Sequence, residues 1–412
     1  MFNMAINSLT YIMFLLLPYY YLQSGSIQPV DFVIFFLFSL LVLSKNTISY
    51  SIRGVSVIYF WLMMLFIYSI LIFILSYIVD HQSETLQLMA QTIYYMLLSF
   101  MYLSLLYYFY NSCSKQKFYE KMIKFLMIST IVPLIFLLIK QKIGLSRAEL
   151  SFNNPNQLAI YAMLNMAIFF YMSLFAIANH LKVNRIVSLL LINLYVVFLS
   201  MSASRAAFGL LLMYVMSYFL IFPFKQVREN PIGSWIIIML ILAIPGWLLF
   251  NKFIIHMESL RENNLFILNN LQTDSYVRMF QGINYNLSNL YYFLFGVGQS
   301  SNPWRLDHLE FHNNFIGIFN QIGIFGFILY LILNIYIVIA LLRQGFIYLI
   351  PYLCYLELAL FHYVFRERVN WWFMAVLIFI TIYKKIDAKK NYIVNDISIE
   401  ESAMDVWHRG CN

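Results

Sequence analysis

Residues 307–314 read Asp-His-Leu-Glu-Phe-His-Asn-Asn and run directly into a long hydrophobic segment. They close a polar interval, residues 251–311, that separates two blocks of apolar sequence. No other interval of the chain brings so many ionisable side chains to the edge of a segment long enough to cross a membrane. The interval therefore divides the fold, and we expect any chemistry that the protein performs to take place there.

The composition is that of a membrane protein. Of the 412 residues, 62% are hydrophobic and 11% are charged, and the mean hydropathy is +0.75. Apolar runs of about 18 residues or more recur along the chain, and each can cross a hydrocarbon core of about 30 Å as a helix. The alternating strands of an outer-membrane barrel are not visible. We therefore expect an all-α, polytopic membrane protein.

Hydropathy predicts about twelve transmembrane helices, with one large external loop between helices nine and ten. Residues 1–251 contain helices 1–9, residues 252–312 form the loop, residues 313–383 contain helices 10–12, and residues 384–412 form a cytoplasmic tail. The first apolar run lacks the features of a cleaved signal, so we expect it to remain as a helix. The predicted helices are 5–22, 30–44, 54–79, 86–110, 118–139, 155–179, 185–203, 205–224, 234–251, 313–342, 345–363 and 369–383.

The distribution of lysine and arginine predicts the orientation of these helices. With the N-terminus in the cytoplasm, most of the cations lie on the inner side, as the positive-inside rule requires. Most inner cations are lysines, whereas most outer cations are arginines. Because a guanidinium can bind phosphate oxygens through two parallel hydrogen bonds, the outer arginines favour a phosphate-bearing ligand on that side. A solvated outer face with incidental arginines is the alternative.

The net charge and the cysteines exclude several classes of protein. The net charge of +8 follows from the loop asymmetry, so we expect no nucleic-acid partner. The cysteines are far apart and form no Cys-x-x-Cys pair, which argues against a disulfide framework. His308 and His312 are four residues apart, as metal ligands on a helix often are, but the His-Glu-x-x-His order is missing. We therefore predict no metal and no other cofactor.

Two arginines of the outer side are candidate ligands of an anion. Arg205 lies in the short polar turn 202–206 between two apolar runs, so its charge must find a partner or a polar cavity at the membrane boundary. Snorkelling to the headgroups is the alternative. Arg278 falls in the first turn of a predicted helix capped by Thr273 or Asp274. There it adds to the positive end of the helix, which becomes favourable once an anion binds.

The end of the polar interval supplies the remaining candidates. Gly296 and Gly298 permit a tight turn or a close approach of the backbone, and Arg305 follows them. His312 is the candidate general base, because an imidazole titrates near neutral pH. A capping or interfacial histidine is the alternative. Asn313 opens a hydrophobic helix whose Asn, Gln and Gly residues predict tight helix contacts and a polar cavity.

The order of these motifs resembles that of the bacterial O-antigen polymerase and O-antigen ligase superfamily, which are multi-pass membrane glycosyltransferases. The resemblance covers the second half of the chain, whereas the first five helices match only in hydropathy. The matching stretches are Asn154-Pro155-Asn156, Ser204-Arg205-Ala206, Arg278, Gly296-Val297-Gly298, His312-Asn313 and Gly323-Ile324-Phe325-Gly326.

The resemblance implies a glycan donor on undecaprenyl diphosphate, used at the outer face of the cytoplasmic membrane without a nucleotide sugar or a metal. By position, Arg205 and Arg278 would hold the donor diphosphate, and Arg305, Asn313, Gly296 and Gly298 would complete the substrate site. His312 would deprotonate the acceptor hydroxyl, with His308 and Glu310 as rival bases. A chain-length regulator is a candidate protein partner.

The motifs do not separate a polymerase, which joins lipid-linked repeat units, from a ligase, which transfers the chain to lipid A-core. The abundance of Tyr, Phe, Ile and Asn resembles that of such polymerases, which favours the polymerase. A transporter of lipid-linked oligosaccharide is the alternative from another class. Transporters usually have two related halves and a site near the midplane. Here the halves look unrelated and the polar residues concentrate on the outer side, which favours an enzyme.

Overall fold

The fold is seen in a computed structural model. It describes residues 2–20, 28–43, 57–80, 83–140, 151–152, 155–202, 289–297, 313–362, 364–384 and 386–387, together with the single positions 213, 216 and 287.

All regular secondary structure in the described residues is helical. Two short 3-10 helices, Phe346–Leu349 and Val364–Arg366, lie before and after the helix Ile350–Phe361. The α-helices are α1 (Phe2–Leu16), α2 (Pro29–Leu43), α3 (Val57–Asp80), α4 (Ser83–Ser112), α5 (Lys115–Lys140), α6 (Pro155–Ala178), α7 (Arg185–Ser202), α8 (Leu290–Phe295), α9 (Asn314–Gln344), α10 (Ile350–Phe361) and α11 (368–384).

The helices have the length and composition of membrane spans. Within the described residues, six of them are long and apolar enough to cross a membrane, namely α3, α4, α5, α6, α7 and α9. α1, α2 and the segment Phe346–Leu360 are shorter apolar helices. The chain is therefore a helical membrane protein, as its hydropathy predicted.

A helix occupies every predicted stretch except 205–224, of which only positions 213 and 216 are described, and 234–251, which lies outside the described residues, as do most of the loop and of the tail. Two boundaries were predicted wrongly by more than one helical turn. α1 ends at Leu16 and not at 22, because Pro18 has no amide hydrogen to continue the helical bonding. The predicted helix 345–363 is a 3-10 turn followed by α10, because Gly345, at φ 133°, interrupts the helix.

α6 lies at the centre of the bundle. In its most apolar window 94% of the residues are buried, whereas in the other span-length helices no more than half are. The exposed faces of those helices are apolar, which is the surface that lipid chains require. Aromatic side chains fill the core beside α6. Phe14 of α1 stacks on Phe125 of α5 and meets Trp372 of α11 edge to face.

One end of the bundle, which we call the lysine end, gathers the basic ends of the helices. Lys115 at the start of α5 donates to Asn179 after α6 at 2.9 Å and to Asp387 after α11 at 2.6 Å. Lys121 donates to Asn7 near the start of α1 at 2.9 Å. The start of α1 therefore lies beside the start of α5 and the ends of α6 and α11, as alternating spans require.

Candidate functional site

The opposite end of the bundle carries an ion pair that is almost buried. The Arg368 guanidinium donates from Nε to Oδ1 of Asp31 and from Nη2 to Oδ2, each at 2.6 Å. The two side chains are 8% and 12% exposed. Such a two-pronged, charge-assisted contact is among the strongest hydrogen-bonded arrangements in proteins. It also satisfies a carboxylate that an apolar environment would otherwise disfavour.

Two further donors complete the hydrogen bonding of Asp31. The Tyr94 hydroxyl of α4 donates to Oδ1 at 2.5 Å, and the backbone amide of Gln28 donates to Oδ2 at 2.7 Å. Asp31 lies in the first turn of α2, where the positive end of the helix stabilises a negative charge. The carboxylate is therefore held from α2, α4 and α11 at once.

Glu367 extends this network towards α1. Its Oε2 accepts a hydrogen bond from the Tyr20 hydroxyl at 2.7 Å, and the Arg368 guanidinium lies 5.7 Å from the centroid of the Tyr20 ring. The backbone amide of Tyr20 donates to the carbonyl of Ser151 at 3.0 Å, which brings the segment before α6 to the same place. We call Tyr20, Asp31, Tyr94, Glu367 and Arg368 the Asp31 cluster.

The start of α9 is attached to the turn that carries this cluster. The Asn313 Oδ1 accepts a hydrogen bond from the amide of Ile316 at 3.1 Å and so caps α9, while its Nδ2 donates to the carbonyl of Leu360 at 3.0 Å. The Asn314 Oδ1 accepts from the amide of Val364 at 2.9 Å. Both asparagines are buried. The residue that follows His312 is thereby fixed against the link between α10 and α11.

A second attachment joins the residue after Gly296, within the predicted loop, to the first half of α9. Gly296 caps the end of α8, and the amide of the next residue, Val297, donates to the carbonyl of Asn320 at 2.7 Å. In a regular helix that carbonyl would accept from the residue four positions later. α9 is kinked at Ile322 and Gly323, which releases the carbonyl for the loop.

Glycine is required on both sides of this contact. Gly296 has φ 80° and Gly323 has φ 66°, a region that side chains disfavour. A Cβ on Gly296 would overlap the backbone of Gln321 and Gly323, and a Cβ on Gly323 would overlap the backbone of Leu294. The close backbone approach that the sequence predicted at Gly296 is present. Gly298 lies outside the described residues.

A small cavity of about 60 Å³ adjoins the kink, between α3, α4 and α9. Ser69, Gln91, Thr92 and Gln321 supply its polar lining, and Trp371, one turn after Arg368, also lines it. A buried water needs roughly 15 to 30 Å³, so a volume of about 60 Å³ has room for a few waters and is too small for a sugar. The cavity adjoins α9, where the sequence predicted a polar cavity, but most of the residues that line it are apolar.

The structure distributes the predicted site residues unequally. Asn313 and Gly296 lie where it describes the chain, and both hold α9 in place. Arg205, Arg278, Arg305 and His312 lie outside the described residues, as do the rival bases His308 and Glu310. Their roles stay predictions.

The sequence alone did not predict the Asp31 cluster, because Arg368 counted only among the outer arginines. A signal was available, because Asp31 is the first acidic residue of the chain and it opens an apolar helix. A charge in that position calls for a buried partner. Because its Nε and Nη2 donate to Asp31, Arg368 connects the start of α11 to the first turn of α2.

Comparison with known proteins identifies no family: no protein-family model matches the chain, and no curated protein matches it.

Proposed function

We propose that the protein is a polysaccharide polymerase of the O-antigen type, which transfers a growing glycan from undecaprenyl diphosphate to a lipid-linked repeat unit. The observation that carries the proposal is the contact between Gly296 and Gly323. These residues belong to two of the motifs on which the resemblance rests. If the chain resembled this superfamily only in hydropathy, there would be no reason for the two motifs to be in contact.

That contact gives the predicted catalytic segment two anchors on one helix. Val297, just before the segment, is bonded to Asn320, and Asn313, just after it, caps α9. Seven residues of helix separate the anchors by about 10 Å. The intervening residues 298–312 include Arg305 and His312. Catalytic geometry needs this kind of support, because small misplacements of a reacting group are costly.

The proposed reaction follows from the charges of the donor. Arg205 and Arg278 bind the diphosphate, and His312 removes the proton from the acceptor hydroxyl. The acceptor oxygen bonds to the anomeric carbon as the bond to the diphosphate oxygen breaks, and undecaprenyl diphosphate leaves. The two guanidiniums stabilise the charge that grows on the leaving group. Attack from the side opposite the diphosphate inverts the anomeric configuration.

We infer that the lysine end faces the cytoplasm and that the Asp31 cluster lies towards the exterior or periplasm of a cytoplasmic (inner) membrane. The cations described at the lysine end are mostly lysines, which supports this orientation. The twelve-span topology with one external loop is part of the same proposal.

Complementation of a polymerase-null strain tests the function. Expression of the chain should restore a ladder of long lipid-linked glycans, and His312→Ala should abolish the ladder while the protein remains in the membrane. One repeat unit per core in the complemented strain would contradict a polymerase. Accumulated long chains that fail to reach lipid A-core in a ligase-null strain would exclude the ligase. Movement of unchanged donor across vesicles without transfer would identify a transporter.

A further inference from the structure

A cavity of 460 Å³ opens at the lysine end, between the start of α5 and the start of α7. Its walls include Ile123 and Met127 from α5 and Val187 from α7. Two lysines, Lys124 and Lys182, lie at its rim from opposite sides. The cavity is far larger than a few ordered waters need, and it combines apolar walls with cationic side chains.

A hydrogen-bonded frame holds the two sides of this cavity together. The Gln116 side chain donates to the carbonyl of Lys182 at 3.1 Å and accepts from the amide of the same residue at 2.9 Å. Gln116 also donates to the Glu120 carboxylate at 2.9 Å. The backbone that carries Lys182 is thus fixed to α5.

The charge at the rim favours an anion. Within the part of the chain that the structure describes, neither Lys124 nor Lys182 has a hydrogen bond or an ion pair from its ammonium group, and both residues are exposed. The Glu120 carboxylate also lines the cavity, but it is engaged by Gln116. These three side chains together leave one net positive charge. An anionic group in the cavity would therefore be attracted by two ammonium groups and repelled by one carboxylate.

The cavity continues into an apolar stripe on the outside of α5. Lys124 is followed at helical spacing by Met127, Ile131, Ile135 and Leu138, which share one face of the helix. These four side chains are 39%, 41%, 46% and 67% exposed. The stripe runs along a helix of membrane-spanning length. A cationic rim at the end of an exposed apolar track matches a phospholipid, which has an anionic head and a long apolar tail.

We propose that this cavity is a binding site for an anionic phospholipid of the leaflet at the lysine end. Lys124 and Lys182 contact the phosphate, and an acyl chain lies along the stripe from Met127 to Leu138. Basic pockets between membrane helices bind anionic headgroups in this way. Lysine suits the site because a flexible point charge follows a mobile headgroup. The site lies at the end of the bundle opposite the Asp31 cluster and does not depend on the glycosyltransferase proposal.

Native mass spectrometry of the full-length protein, titrated with phosphatidylglycerol or with neutral phosphatidylcholine, tests the proposal. We expect a preference for phosphatidylglycerol, and about a fivefold weaker affinity for each lysine removed in Lys124→Gln and Lys182→Gln. Glu120→Gln should strengthen binding, because it removes the opposing charge. Lys384→Gln is the matched control: it removes an exposed lysine of the same end that does not line the cavity, and it should leave the affinity unchanged.

Three results would overturn the lipid site. The first is equal binding of the two lipids by the wild-type protein. The second is unchanged phosphatidylglycerol affinity in the double variant Lys124→Gln/Lys182→Gln. The third is equally strong binding of free glycerol phosphate, which would show that the apolar stripe contributes nothing. Should the double variant fail to fold, the single variant Glu120→Gln decides the question, since weaker or unchanged binding in that variant contradicts the charge argument.

Discussion

The guanidinium of Arg368 donates to both carboxylate oxygens of Asp31, although 337 residues separate them along the chain. The contact joins α11 to the first turn of α2. A paired charge in an apolar setting is tolerated because its partner is present, and it becomes costly when the partner is removed.

Removal of one member of this pair should destabilise the protein severely. Asp31→Ala or Arg368→Ala leaves an unpaired buried charge, for which we expect a loss of about 3–5 kcal/mol. Thermal unfolding in detergent measures the effect. The double variant Asp31→Leu/Arg368→Met should be more stable than either single variant, because no charge is left without its partner. The more exposed pair of Lys115 and Asp387 supplies the control.

For that control we expect Asp387→Asn to cost about 1 kcal/mol, because solvent partly screens this half-exposed pair. Equal losses in Asp387→Asn and Asp31→Ala would show that burial does not govern the energetics of the Asp31–Arg368 pair.

Substitution at the glycine contact should detach the loop from α9. Gly323→Ala combines a disfavoured backbone conformation, costing about 1–3 kcal/mol, with direct overlap on the backbone of Leu294. Gly345→Ala is the matched control, because Gly345 also has a positive φ but its Cβ would meet only a Tyr348 ring carbon at 3.8 Å. We expect faster proteolysis between 298 and 312 and loss of glycan product in Gly323→Ala alone. Similar behaviour of both variants would assign the effect to backbone strain.

Replacement of the proposed diphosphate ligands by lysine should separate charge from geometry. Arg205→Lys and Arg278→Lys keep the positive charge but lose the planar guanidinium, which can donate two parallel hydrogen bonds to phosphate oxygens. We expect each to lower the transfer rate about 100-fold, which is the effect of removing one group that stabilises a transition-state charge. Glycan ladders and the amount of protein in the membrane are the measurements. Normal ladders in both variants would refute the role of these arginines.

The proposed base should matter for transfer and not for donor binding. For His312→Ala we expect a loss of about 100- to 10,000-fold in rate, the range for general-base catalysis. Binding of radiolabelled lipid-linked donor to the purified variant should equal that of the wild type. His308→Ala is the control from the same segment and should retain activity. The reverse pattern would transfer the assignment to His308, and activity in both variants would favour Glu310.

The sequence by itself determined the helices, because a segment that crosses lipid must satisfy its backbone internally and present apolar side chains along its length. Hydropathy therefore located α2 and α9 to within a residue or two. The end of α1 was missed where Pro18 overrides hydropathy. The composition of the connecting segments likewise predicts that the lysines lie at one end of the bundle.

Only the tertiary structure decided which distant residues meet. The sequence around Asp31 does not predict contact with Arg368, and the sequence around Gly296 does not predict contact with Gly323. These contacts depend on helix packing, which produces no periodic pattern in the sequence. The pairing of Lys124 with Lys182 around one cavity has the same origin. The local sequence pattern predicts which side of each segment is buried. The partner of a buried charge, or of a glycine backbone that makes a close contact, depends on how the helices pack together.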